Sequence, residues 1–157
     1  MMSFHSTPVK LRYQVTGNAI LHTLGSIFGN PAGSRALDLM NTLDWRDDPV
    51  RRCELLTNAQ AFREWAVHVG FPATVTRGIR HERQRTRAIH LRETLALIFG
   101  AVVRGTSPPR KALVVLTRWT QNAWRHRQLL LEREGPAWRW RPGTDAADRV
   151  LFEIALE

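Results

Sequence analysis

The chain has 157 residues, 43% of them apolar and 24% charged, which excludes a disordered or fibrous class and allows one domain with a hydrophobic core. No run approaches the roughly 18–20 apolar residues of a membrane span, and no cleavage pattern follows the apolar stretch AILHTLGSIFG, so a cytoplasmic protein without membrane contact is expected. The formal net charge of +9 favours acidic partners (nucleic acid, an anionic ligand or an acidic protein surface), although its dominance by Arg over Lys also fits a GC-rich genome.

The pattern along the chain predicts a mostly helical α+β domain with a small antiparallel sheet. In PVKLRYQV, Val9, Leu11, Tyr13 and Val15 alternate with polar residues, as in a half-buried strand, and Thr16-Gly17-Asn18 reads as a turn. Breakers from Gly29 to Ser34 form a loop. The following RALDLMNTLDW has Ala36, Leu39, Met40 and Leu43 at helical spacing, with Ser34 as a cap, though so short a run also suits a strand. Thr57 and Gln60 have capping-box spacing ahead of a stripe of Phe62, Trp65, Ala66 and Val69, and Gly70 fits the left-handed stop. A long helix is expected over Arg80–Arg104, with Ala88, Leu91, Leu95, Ile98 and Val102 on one face. Its first half, RHERQRTRAIHLR, is strongly basic. Cations there oppose the helix dipole, so they mark either a solvated face or a contact with a partner.

Ser107 before Pro108 predicts the start of another helix, burying Ala112, Leu116, Trp119 and Ala123. Gln128 to Arg141 reads as a hairpin turning at Gly135-Pro136, with Trp138 and Trp140 on one face. Interleaved with Arg139 and Arg141, those rings suit either base stacking or the core. The predicted sheet joins this hairpin to the first strand. Thr144 or Asp145 starts a last helix with Val150, Leu151, Ile154 and Ala155 inward, and its apolar pattern is still running at Glu157, as in a sequence that has been cut.

Chemistry is sparsely signalled. There is no nucleotide-binding glycine loop, no GxSxG and no HExxH. The six histidines are scattered, and His81-Glu82 reads as surface. Cys53, the lone cysteine, can form no internal disulfide or Cys-rich zinc site and reads as a buried or incidental thiol. One constellation stands out: Asp38, Asn41, Thr42 and Arg46 sit beside apolar Leu37, Leu39, Met40 and Leu43. Polar groups against such a wall need partners. Those partners are either a ligand, for which Arg46 offers a planar fork, or one another, in a buried network.

RALDLMNTLDWR resembles the "LDFVNT…R" segment that opens the ABATE domain of the CGNR zinc-finger proteins, a family described as "putative stress-induced transcription regulators". ELLTNAQAFREWAVHVG and AIHLRETLALIFGAVVRG resemble its next two helices, and LTRWTQNAW, GPAWRW and VLFEIALE are similar to its later elements more loosely. The resemblance divides the chain into residues 1–27, a strand and connection, and residues 28–157, the ABATE-like domain. Leu37, Asp38, Asn41, Thr42, Arg46, Trp65, Leu91 and Arg92 occupy motif positions, and Glu54 stands for the family's acidic residue. By this resemblance Asp38, Asn41, Thr42, Arg46 and Arg92 line a ligand pocket or hold the domain's polar centre. Leu39 and Met40 replace the usual aromatic and valine, an apolar exchange. The cysteines of the zinc ribbon are missing, so no metal, cofactor or zinc-mediated DNA contact carries over.

The implied function is a non-catalytic regulatory domain sensing a small polar or anionic ligand. The alternatives are direct nucleic-acid binding through the basic helix start, with the missing C-terminal module as the family's main route to DNA, and, last, an enzyme using Asp38 as a general base.

Overall fold

A computed structural model describes Phe28 and residues 32–157. The alternating segment from Val9 to Val15 and its proposed turn therefore lie outside the described residues. Among the latter are helices α1 (Arg35–Met40), α2 (Ala59–His68), α3 (Ala73–Thr76), α4 (Glu82–Val103), α5 (Arg110–Arg125) and α6 (Ala146–Leu156). The strands are β1 (Leu43–Asp44), β2 (Cys53–Glu54), β3 (Arg127–Glu132) and β4 (Gly135–Trp140). This is the mostly helical α+β class expected from the pattern. The strands form two separate antiparallel pairs, β1 with β2 and β3 with β4.

The helix α4 packs against α1, α2, α5 and α6, and α6 in turn against α1, α3 and α5. The core follows from their apolar faces. Phe62, Trp65 and Ala66 of α2 meet Ala88, Leu91 and Leu95 of α4 and Val150, Leu151 and Ile154 of α6, all buried in one cluster. On α4 the buried stripe ends on Ala101, which leaves Val102 62% exposed, contrary to its predicted inward position.

Several boundaries differ from the expected ones for local reasons. The run from Ala36 to Leu43 stops being helical at Met40, and Asn41 and Thr42 turn the chain into β1. Helix α2 is capped by Asn58, whose side chain accepts from the Ala61 N–H at 2.9 Å, while Gln60 donates to Glu64 instead of closing a capping box with Thr57. Gly70 does take the left-handed stop, at φ 89°. At the start of α4, Gln84 accepts from the N–H groups of Arg80 and His81 at 2.8 and 2.9 Å. Helix α5 begins at Arg110, past Pro109 and not at Ser107.

The hairpin turns at Arg133-Glu134, because Gly135 already pairs with Glu132 across the strands and Pro136 with Leu131. Trp140 stacks on Phe152 and donates its indole N–H to Glu153, whereas Trp138 is 49% exposed, edge-on to Trp124. Cys53 is exposed, which removes the buried alternative of the two readings given for it.

Helix α1 has no side-chain cap of its own from Ser34. Glu157 supplies one from α6: its carboxylate accepts from the Ala36 N–H and the Ser34 hydroxyl, both at 3.1 Å. A negative group at a helix start satisfies orphan donors and complements the dipole. The family-like segment is thereby clamped to the last helix.

Candidate functional site: a guanidinium–carboxylate relay on α4

Beyond α1 the chain makes the short β1–β2 hairpin, registered by Leu43 opposite Glu54 and Asp44 opposite Cys53. The connecting turn holds Trp45 at φ 49°, a left-handed conformation uncommon for a residue with a side chain. Asp48 ties the far end of that turn by accepting from the N–H groups of Val50 and Arg51 and pairing with the Arg51 guanidinium. The hairpin presents Thr42, Arg46 and Glu54 towards Arg92 and Glu93 on α4.

Arg92 is the centre. Its side chain is only 2% exposed, and burying a guanidinium is tolerable only when its charge and N–H groups are matched. Here Nη1 donates to Glu54 Oε1 at 2.7 Å and to Thr42 Oγ1 at 3.1 Å, Nη2 donates to Glu54 Oε2 at 2.6 Å, and Nε donates to Glu93 Oε1 at 2.9 Å. Thr42 is oriented to accept because its own hydroxyl hydrogen goes to the Leu39 carbonyl at 2.7 Å. The other carboxylate oxygen of Glu93 takes Nη1 of Arg46. The relay thus runs Thr42–Arg92–Glu54 on one side and Arg92–Glu93–Arg46 on the other, two cations against two anions. Backbone contacts fix its base: Leu55 N–H donates to the Thr42 carbonyl and Leu56 N–H to Glu54 Oε1, both at 2.9 Å, and Arg85 Nε donates to the Leu56 carbonyl.

The electrostatics agree with fixed charges. Burial alone would raise the Glu54 carboxyl, but the Arg92 hydrogen bonds, the Leu56 N–H and the charges of Arg92 and Arg85 outweigh it and hold the pKa below its ordinary value. Burial likewise works against charged Arg92, and the bonds and charges of Glu54 and Glu93 overcome it and push its pKa up.

Of the five residues singled out, Thr42, Arg46 and Arg92 are brought together. Asp38 and Asn41 are not part of the relay. Asp38 is buried at the start of α1 and accepts from the Ala32 N–H at 2.5 Å. Asn41 is exposed at the C-terminal end of α1, where its backbone N–H bonds the Leu37 carbonyl at 3.0 Å. The relay's two carboxylates, Glu54 and Glu93, were not among the five. Their signal was available: a buried Arg92 demands an acid, and Glu93 is its neighbour while Glu54 stands at the family's acidic position.

Against known families, residues 33–157 match the family model ABATE, described as "Putative stress-induced transcription regulator". The chain belongs to the ABATE family. No curated protein and no solved structure matches it. In this ABATE domain Thr42, Arg46, Glu54 and Arg92, which carried the resemblance, meet at one place and join the β1–β2 hairpin to α4. Among the described residues no helix is long and apolar enough to cross a membrane, and no group of three His, Cys, Asp or Glu side chains could hold a metal ion.

Proposed function

We propose that this ABATE domain is a non-catalytic regulatory domain in which a small anionic ligand competes with Glu93 for the guanidinium groups of Arg46 and Arg92. The observation that carries this reading is Arg46 Nη2. It is shielded from water and has no hydrogen-bond partner, although Nη1 of the same group holds Glu93. An unsatisfied buried donor costs about 1–3 kcal/mol and calls for an explanation. A ligand carboxylate or phosphate with two oxygens at this edge meets Nη2 as well as Nη1 and displaces Glu93, whose side chain is 40% exposed, so that the displaced carboxylate can be taken up by water.

The relay then has two arrangements, Glu93 in or ligand in, and a ligand favouring the second shifts the population towards it. The β1–β2 hairpin and α4 would report that change to the rest of a regulator. The mutual charge stabilisation of Glu54 and Arg92 supports a non-catalytic role, since neither is tuned to exchange a proton near neutral pH.

The test is a thermal-shift screen of carboxylate and phosphate metabolites against wild type, Arg46→Ala and Glu93→Gln. A ligand at this edge stabilises wild type, binds Glu93→Gln more tightly because the internal competitor has lost its charge, and is lost in Arg46→Ala. Equal stabilisation of wild type and Arg46→Ala rejects the site.

A further inference from the structure

A second basic feature lies away from the relay, between α4 and α5. Arg87, His90, Val115, Arg118, Trp119 and Asn122 line an open groove of about 260 Å³. None of the six is acidic. Helix α5 carries no acid at all, and α4 carries none between Glu82 and Glu93.

The floor is rigid. Trp119 is 8% exposed and meets Phe152 edge-on at 6.0 Å. The Arg87 guanidinium sits 5.2 Å from the Trp119 ring centre and is ion-paired with Asp148 of α6. That pair consumes the nearest carboxylate and keeps Arg87 in place. On the walls Arg118, His90 and Asn122 are exposed, and among the described residues they have no side-chain hydrogen bond or ion pair. Helical spacing sets Lys111, Val115, Arg118, Asn122 and Arg125 in one row on α5, and Arg83, Arg87 and His90 in another on α4. The cationic rim therefore continues past the groove.

We propose that the groove between α4 and α5 binds a phosphate group, held by Arg118 with His90 and Asn122 over the Arg87–Trp119 floor. The reasons are physical. The Arg118 guanidinium, the His90 ring and the Asn122 amide, without side-chain partners among the described residues, border a concavity with no acid among its lining residues, and a guanidinium fork matches phosphate geometry. The volume falls just below the roughly 300–1,000 Å³ of pockets that enclose whole drug-sized ligands, which suits one phosphoryl group and a little beyond it. This gives a use to Arg87 and His90 in the basic first half of α4, where cations oppose the helix dipole. The groove shares no lining residue with the Arg46–Glu93 edge.

The probe is inorganic phosphate, titrated into the full chain at constant ionic strength and followed by the NMR signals of the Trp119 indole N–H and the Asn122 side-chain amide. Saturable shifts are expected, with affinity about tenfold weaker in Arg118→Gln, the loss of one charge-assisted contact. Arg118 is exposed and partnerless, so its replacement leaves the fold intact, and the thermal unfolding midpoint checks this. A DNA duplex is then added. Displacement of phosphate from the same signals identifies the natural phosphate as nucleic-acid backbone, with steep salt dependence; retention identifies a free phosphorylated ligand. Absence of saturable shifts, or unchanged affinity in both Arg118→Gln and His90→Gln, overturns the proposal.

Discussion

Arg92 and Glu54, 38 positions apart in the chain, meet in a two-pronged ion pair, with guanidinium nitrogens 2.7 and 2.6 Å from the two carboxylate oxygens. The pair is asymmetric. Arg92 is 2% exposed and Glu54 30%, so removal of either leaves a different residue in difficulty. Glu54→Ala strands a buried cation with only Glu93 and Thr42 to answer it. Arg92→Ala leaves a carboxylate that water can reach, together with the void of a large side chain. Breaking a buried pair from one side costs about 3–5 kcal/mol. Both variants should therefore unfold at lower urea concentration, with midpoints in heat on the order of 10 °C below wild type. A loss within 0.5 kcal/mol for both would show that the pair is not a structural tie.

The same pair sets an acid limit. The Glu54 carboxyl has a folded-state pKa below its unfolded value because Arg92 and the Leu56 N–H favour the charged form more than burial opposes it. The unfolded chain thus binds more protons between those two values, and stability falls as pH drops through that window. The contribution is complete above the ordinary glutamate value of about 4.3 and lost below the folded value. Asp148 works in the opposite sense: burial and neighbouring Asp145 raise its pKa despite Arg87, so its protonation relieves the folded state as pH falls. Urea unfolding from pH 6 to pH 3 should show a steeper loss in Asp148→Asn, where that relief is absent, and a shallower one in Glu54→Gln. Identical slopes in all three proteins would refute this assignment.

What the sequence made legible was whatever depended on neighbours within a turn or two. The stripes of α2 and α6, the stop at Gly70 and the start of the last helix at Asp145 all stand as the pattern predicts. Competing side chains decided the rest. Asn58 outbids Thr57 for the cap of α2 because its carbonyl oxygen reaches the Ala61 N–H, and Gly135 is drawn into the ladder opposite Glu132. The relay was half legible. Thr42, Arg46 and Arg92 could be named from the resemblance, but their acids lie 38 and 47 positions away from Arg92 and Arg46 along the chain. Local periodicity carries no record of such pairing. Asp38 was grouped with Thr42 and Arg46 because all sit beside the same apolar positions in the sequence, yet the end of α1 at Met40 separates its surroundings from those of Thr42.

Gly78, in the α3–α4 connection, lies hard against the start of α6. A Cβ placed there would lie 2.4 Å from the Cβ of Ala146, inside any normal contact. The constraint is space, not backbone conformation. Overpacking of this kind costs about 1–3 kcal/mol, so Gly78→Ala should lower stability by that amount in chemical denaturation. Pairing it with Ala146→Gly should recover most of the loss, because the opposing methyl is then gone. If the double variant is no better than Gly78→Ala, the contact with Ala146 is not the cause.

Asp145 joins the same two regions through hydrogen bonds. Its Oδ1 accepts from the N–H groups of Ala147 at 2.9 Å and Asp148 at 3.3 Å, capping α6, and both of its oxygens lie 3.1 Å from the Gln84 amide nitrogen at the start of α4. Gln84 is 3% exposed and itself holds the Arg80 and His81 N–H groups. One carboxylate therefore stabilises the first turns of two helices. Asp145→Ala removes the cap, worth about 0.5–2 kcal/mol, and also leaves a buried amide donor short of its acceptor, which adds about 1–3 kcal/mol. Asp145→Asn keeps an oxygen for the α6 cap and should recover roughly half of the combined loss. Hydrogen exchange distinguishes the two contributions: in Asp145→Ala protection should fall at the start of both α4 and α6, whereas a loss confined to α6 would mean that Gln84 does not depend on this contact.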